Sequence, residues 1–346
     1  MQMRYLITGG AGFIGSHFVH LLLAHDPDAK IVNLDLLTYA GNLDNLTDLQ
    51  DHPRYKFVQG DICDRELVDR LMAETDAVVH FAAESFVDKS IYGAEHFIRT
   101  DIYGTFVLLE TARKHNVSRF IHISTDEVYG SCPSGTFREE DPLMPANPYA
   151  ASKAGADRLA FSFFKTYALP VVITRSCNNY GPNQYPEKLI PLFVTNAIQD
   201  QSLPVYGDGR QVRDWLYVKD HCSALLLLLE KAEAGQVYNI SANQEAANLE
   251  ITDAILRRVD KPGSLVQHVT DRPGHDRRYA LDSSRLRSLG WQPEWDLERG
   301  LDETVTWYLT HESWWRKIRE RQKEFQEFYT KHYGNIAKES WQIRPL

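Results

Sequence analysis

Cysteine is scarce in this chain of 346 residues: there are four, Cys63, Cys132, Cys177 and Cys222. No two form a C-x-x-C pair, and no histidine cluster has metal-ligand spacing, so disulfide scaffolds and zinc sites are not indicated. Buried, reduced thiols in a reducing compartment are the expectation. Excess positive charge is also missing. A formal net charge of −9 argues against nucleic acid or an anionic membrane as main partner, while leaving room for a local basic pocket around an anionic small molecule. Long apolar runs are absent too. The longest, "ALLLLLE" at 224–230, falls far short of the ~20 residues that span a bilayer. The chain opens directly into "MRYLITGG", with no charged stretch followed by an apolar one, so a cytoplasmic location is expected.

What is present is alternation. "RYLIT" (4–8), "IVNLD" (31–35), "YKFVQGD" (55–61), "AVVHFAA" (77–83), "RFIHIS" (119–124) and "PVVITR" (170–175) read as strands, nearly continuously apolar, as parallel strands covered on both faces should be. Helical stretches at 13–25, 64–74, 96–115 and 149–167 lie between them. This predicts an α/β fold with a doubly wound parallel sheet. After about residue 176 Pro and Gly punctuate shorter elements, which predicts a smaller, substrate-binding domain. The expected division is 1–176 with a returning segment at about 214–240, then 177–330, then a tail at 331–346. "DHCSALLLLLEKA" (220–232) reads as a buried helix rejoining the larger domain, and 314–334 as a charged amphipathic helix.

"YLITGGAGFIGSHF" (5–18) places Gly10, Gly12 and Gly15 in G-x-G-x-x-G spacing between strand and helix, and Gly9 adds the overlapping form. Glycine here permits a tight turn and close approach of a pyrophosphate to the helix N-terminus. Asp35 ends the next strand, 20 residues after Gly15. An acid there accepts hydrogen bonds from ribose hydroxyls and repels a 2′-phosphate, and Leu36 and Leu37 offer that phosphate no cation, so NAD is expected over NADP. "GDI" (60–62) and "FAAES" (81–85), both at strand ends, lie where the adenine and nicotinamide halves would run.

"NPYAASKAG" (147–155) sets Tyr149 and Lys153 one helical turn apart, after the N-cap Asn147 and Pro148. Ionising a tyrosine at pH 7 costs roughly 4 kcal/mol. A nearby lysine and the positive nicotinamide ring are expected to offset much of that cost and make Tyr149 a base for an alcohol. "STDEVYG" (124–130) ends a strand in two adjacent carboxylates, Asp126 and Glu127. Neighbouring side chains on a strand point to opposite faces, so the two share a pocket only where the chain leaves the sheet.

With these motifs the chain resembles the extended short-chain dehydrogenase/reductases, and within them the nucleotide-sugar 4,6-dehydratases. Further matching stretches are "LTYAGNLDNL" (37–46), "TRSCNNYGPNQYPEKLIPL" (174–192), "LPVYGDGRQVRDWLYVKDH" (203–221) and "DRPGHDRRYALD" (271–282). The resemblance implies a three-step reaction on dTDP-glucose in which NAD is reduced and reoxidised within one turnover. It assigns Tyr149 the C4 hydroxyl proton, Glu127 the role of base at C5, Asp126 the role of acid at the C6 oxygen and Thr125 a bond to the C4 oxygen, with Lys153 supporting Tyr149. One carboxyl must then be ionised while the other keeps its proton.

Implied cofactor contacts are Gly9, Gly12, Phe13, Ile14, Gly15, Asp35, Thr38, Asp61, Ile62, Ala82, Ala83, Ser85, Thr100, Tyr149, Lys153 and Asn179. Implied substrate contacts are Ser85, Thr125, Asn178, Lys188, Leu189, Pro204, Tyr206, Arg213, Asn248, Arg272 and His275, with Arg213 suited to clamp a diphosphate. Thymine and uracil both fit beside Tyr206. A homodimer pairing helices 96–115 and 149–167 is implied as well. One stretch departs from the family pattern: "ESFVDKS" has Phe86 and Lys89 where the family usually has His and Arg. A 4-epimerase or decarboxylase would share the tyrosine–lysine pair without needing the Asp-Glu dyad. A non-catalytic NAD-binding regulator could dispense with all four residues.

Overall fold

The computed structural model describes residues 2–321, Pro273 excepted. Seven strands form the main sheet: β1 (Arg4–Thr8), β2 (Lys30–Asp35), β3 (Tyr55–Gln59), β4 (Ala77–His80), β5 (Arg119–Thr125), β6 (Val171–Ser176) and β10 (Val237–Ile240). Their order is β10-β6-β5-β4-β1-β2-β3, all parallel. The expected doubly wound sheet is therefore present, with its reversal between β1 and β4, where a crevice opens at the carboxyl ends of the strands. The apolar strands bury both faces. Ile7, Val79 and Ile121 face one core with Phe18, Val19 and Leu22 of the helix Phe13–His25, while Leu6, Val78 and Phe120 face another with Val107 and Leu108 of the helix Thr105–Lys114.

The remaining strands are short. β7 (Asn178–Tyr180), β9 (Val212–Tyr217) and β11 (Glu245–Ala247) make one small sheet, and β8 (Leu203–Tyr206) pairs with β12 (Val266–Val269). The helix Val218–Lys231 packs Cys222, Leu225 and Leu228 beside Phe18 and Leu22, and β10 then joins the large sheet. A separate core of Tyr180, Phe193, Trp215, Ile255, Leu301 and Trp315 holds the smaller lobe together.

Two differences from the sequence reading shape the site, and one expected element is seen only in part. β4 stops at His80, three residues before the expected end at 83, and Phe81–Ala83 turn aside to line the crevice. The expected helix at 96–115 is present from Glu95 to Lys114, but with a π-helical turn over Ile98–Gly104 before the α-helix Thr105–Lys114. The amphipathic helix expected at 314–334 is seen as Glu312–Arg321, and the rest of it, with the tail 331–346, lies outside the described residues. Among the described residues no helix is long and apolar enough to cross a membrane.

Candidate active site

A cavity of about 440 Å³ follows the carboxyl edge of the sheet. All sixteen expected cofactor positions line it: Gly9, Gly12, Phe13, Ile14, Gly15, Asp35, Thr38, Asp61, Ile62, Ala82, Ala83, Ser85, Thr100, Tyr149, Lys153 and Asn179. Thr125, Asp126, Glu127, Asn178 and Lys188 line it too.

The floor at one end is backbone. Gly9 has φ +73°, and a Cβ there would lie 2.6 Å from the Ala82 amide nitrogen. On Gly15 a Cβ would lie 2.3 Å from the Gly9 carbonyl oxygen. Side chains are excluded where the helix Phe13–His25 begins, which leaves a cradle of peptide groups suited to a pyrophosphate. At the end of β2, Asp35 accepts from the Ala11 and Leu37 amides at 2.9 and 2.8 Å, so its carboxylate is fixed on the cavity wall. The residues present fit a dinucleotide.

At the other end the chain leaves β5 in a 3₁₀ turn, Asp126–Tyr129. Thr125 caps it: its Oγ1 accepts from the Glu127 amide at 3.3 Å and donates to Asp126 Oδ1 at 3.1 Å. The turn answers the geometric problem that two adjacent acids posed. Once the extended alternation stops, both carboxylates reach one cavity. Their surroundings differ. Asp126 is 3% exposed, and its Oδ2 has no hydrogen-bond partner. Burial first, and the Glu127 carboxylate second, push its pKa up to about 8. It therefore keeps its proton at neutral pH. Glu127 is half-buried and accepts from Asn147 Nδ2 at 3.4 Å.

Tyr149 and Lys153 project from the helix Pro148–Tyr167, whose N-cap Asn147 accepts from the Ala150 amide at 2.9 Å. Without the nicotinamide charge, these surroundings oppose ionisation of the phenol. Burial, then the carboxylates Glu127 and Asp101, hold Tyr149 well above its usual pKa, and Lys153 Nζ donates to the Ile123 carbonyl at 2.7 Å. Burial also lowers Lys153, with Asp101 and Asp157 acting in the opposite direction. The protein alone keeps the phenol neutral, chiefly because it is buried and secondly because carboxylates lie nearby.

Asp101 escaped the sequence reading. The π turn aims it inward, where it accepts from the Glu84 amide at 2.9 Å and from Ser152 Oγ at 2.6 Å. π turns recur at functional sites, but no sequence pattern announced this one. Tyr185 and Glu187, inside the quoted "NQYPEK", were missed as well; both line the cavity.

The other expected substrate residues lie outside that lining. Tyr206, at the end of β8, donates to Asp88 Oδ2 at 3.2 Å, and Arg272 Nη1 donates to Asp88 Oδ1 at 2.6 Å. The His275 ring meets Tyr206 edge-on, with centroids 6.0 Å apart. Arg213 is buried over the Tyr279 ring and donates to the Val212 and Asp276 carbonyls. Its charge and that of Arg272 act on the dyad and on Glu127 respectively. Asn248 is buried, with Oδ1 unpartnered. Leu189 opens the helix Leu189–Ile198, and Pro204 is buried in β8 opposite Gln267.

A glycine cradle, a Tyr-Lys pair and a carboxylate turn on one cavity define a dinucleotide-dependent protein of the extended short-chain dehydrogenase/reductase class. Residues 6–304 match the GDP-mannose 4,6 dehydratase family, and the chain belongs to it. The low-salt glycan biosynthesis protein Agl12 of Haloferax volcanii is 53% identical over 307 residues, 89% of this chain and 99% of that protein. The dTDP-glucose 4,6-dehydratase of an Actinoplanes species is 50% identical over 319 residues, 90% of this chain and 100% of that one. The crystal structure of DesIV, the dTDP-glucose 4,6-dehydratase of Streptomyces venezuelae with NAD bound, superimposes with a TM-score of 0.90 at 50% identity, covering 91% of this chain and 100% of that one.

Proposed function

We propose that this chain converts dTDP-glucose to dTDP-4-keto-6-deoxyglucose and water, with NAD as resident cofactor. The observation that carries the reading is the pair Asp126 and Glu127 on the same cavity as Tyr149 and Lys153, with Asp126 held protonated. When bound along Gly9–Gly15 and Asp35, with Thr38, Asp61, Ile62, Ala82, Ala83, Ser85, Thr100 and Asn179 around it, NAD supplies the acceptor for the C4 hydrogen, the donor that returns it to C6, and the positive ring charge that Tyr149 needs. Tyr149 takes the C4 hydroxyl proton, and Thr125 holds the C4 oxygen. The new carbonyl acidifies C5–H, and Glu127 removes that proton and gives it back to C5 when hydride is returned to C6. Asp126 protonates the departing C6 hydroxyl, which leaves as water. Arg213, Arg272, Lys188, Asn178, Asn248, Tyr206, His275, Ser85, Leu189 and Pro204 form the nucleotide-sugar side of the site.

The division into a cofactor lobe and a smaller substrate lobe belongs to this reading, as do a cytoplasmic location and a homodimer. Four free, buried cysteines support the reducing compartment. Ile98, Tyr103 and Tyr167 are exposed on the helical segments expected to pair, which supports the dimer. Light scattering should give about twice the chain mass.

The decisive experiment supplies dTDP-glucose without added reductant and analyses the product by mass spectrometry. Loss of one water with an unchanged NAD pool is expected, and Glu127→Gln should stop after C4 oxidation. An unchanged mass with inverted C4 would replace the reading by an epimerase. Turnover of UDP-glucose alone would move the base preference to uracil.

A further inference from the structure

The segment between β4 and the π turn is fastened to the smaller lobe at several points. Lys188 Nζ donates to the Ser85 carbonyl. The same ammonium lies 5.2 Å from the Phe86 ring centroid, while within the larger lobe Lys89 Nζ sits 3.2 Å over the Tyr39 ring. The most specific fastening is Asp88, in the first turn of the helix Val87–Tyr92. Its carboxylate is 3% exposed, and its two oxygens go to two different segments of the smaller lobe: Oδ1 to Arg272 and Oδ2 to Tyr206. These two residues are 66 positions apart in sequence, and a single carboxylate fixes both. The buried Arg272 Nε has no partner in the protein.

We infer that Asp88 is a positioning residue for nucleotide-sugar binding: its carboxylate orients Arg272 and Tyr206 across the lobe boundary so that the guanidinium presents its remaining N–H groups to a diphosphate and the phenol ring flanks the base. The assignment rests on the proposed function, since it takes Arg272 and Tyr206 to touch the substrate. The physical grounds are two. A guanidinium held by one carboxylate keeps donors in a fixed fork for a second anion. A long side chain ordered before the ligand arrives has less rotamer freedom to lose when it binds.

The test uses calorimetry of dTDP binding to the purified protein with NAD content measured in parallel, so that chemistry is not the readout. Asp88→Ala should weaken dTDP by roughly tenfold or more, leave NAD content unchanged, and lose most of its effect in an Arg272→Ala background, where there is nothing left to orient. Asp88→Asn keeps an oxygen acceptor and the side chain's shape, and should recover part of the affinity. It also serves as the variant to measure should the alanine substitution unfold the segment. Unchanged affinity in Asp88→Ala, or additive losses in the double variant, would overturn the inference. Tighter binding would overturn it in the other direction, by showing that the carboxylate competes with the diphosphate. Arg272→Ala binding dTDP like the native chain would instead remove the contact assumed under the proposed function.

Discussion

Asp126→Asn should make the protein more stable and nearly inactive. The carboxyl has a pKa of about 8 in the folded chain, against 3.8 for the free group. Below about pH 4 both folded and unfolded chains carry the proton, and the site contributes nothing. As pH rises the unfolded chain releases the proton and the folded chain keeps it, so stability falls by about 1.4 kcal/mol per pH unit until the folded group ionises near pH 8. At pH 7 the accumulated cost is roughly 4 kcal/mol. An amide has no such cost, but its N–H₂ takes the place of an oxygen that has no partner, a loss of about 1–3 kcal/mol. The net expectation at pH 7 is a gain of about 1–3 kcal/mol, read as a rise of about 1–4 °C in Tm for a chain of this length. The gain should shrink as pH falls and become a loss of about 1–3 kcal/mol near pH 4, where only the amide's missing partner remains. Activity should drop by about 10²–10⁴, because an amide cannot protonate the leaving oxygen, and native activity should fall above pH 8 as Asp126 ionises. Thermal unfolding at several pH values, paired with product assays, measures both. An Asn variant less stable at pH 7, by a margin independent of pH, would refute the account of Asp126 as a buried neutral acid.

Tyr149→Phe removes the proton acceptor while keeping the ring that meets Phe97 edge-on at 6.3 Å, so kcat should fall by about 10²–10⁴ with dTDP affinity unchanged by calorimetry. Gly15→Ala would force a methyl to within 2.3 Å of the Gly9 carbonyl, and the purified variant should carry little NAD by chromatographic quantification. Phe86→His should change kcat by less than about tenfold, since Phe86 is buried beside the Lys188 ammonium and no proposed proton transfer uses it. A gain of several orders of magnitude would show that the native residue cripples the site.

The large sheet was legible because parallel strands covered on both faces are apolar along most of their length, and residues 5–7 and 171–173 write that condition directly. The glycine loop and Asp35 were legible because a backbone cradle leaves no freedom of residue type where Cβ atoms would collide. The π turn at Ile98–Gly104 was not, because one extra residue in a helical turn scarcely alters the apolar period. Strands of three or four residues, such as β7 and β11, are too short to show alternation. Asp88 and Arg272 lie 184 positions apart, and their pairing follows from the fold of two lobes rather than from any local pattern. The surroundings of Tyr149 were hidden for a related reason: its burial and the Asp101 carboxylate both come from elements distant in sequence.

How polar groups are satisfied separates the parts of the site that hold geometry from those that meet a ligand. Tyr129, two residues beyond Glu127, donates to Asn239 Oδ1 at 2.9 Å and accepts from Arg175 Nη1 at 2.6 Å. Arg175 Nε reaches Asp157 Oδ2 at 2.8 Å, and Asp157 stands on the helix that carries Tyr149 and Lys153. Arg175 and Asp157 are 1% and 0% exposed, and their hydrogen bonds tie the carboxylate turn to the tyrosine helix. A buried charged pair costs too much desolvation to be a cheap source of stability, so its worth here lies in fixing one arrangement of two elements. On the cavity wall the pattern reverses. Ser124 Oγ, Asp126 Oδ2, Asn178 Oδ1 and Glu187 Oε1 are buried without partners in the protein. Orphans also occur away from this wall, on His122, Gln211, Tyr217 and His221, so the want of a partner points to a polar ligand only where, as at these side chains, the group also faces the cavity.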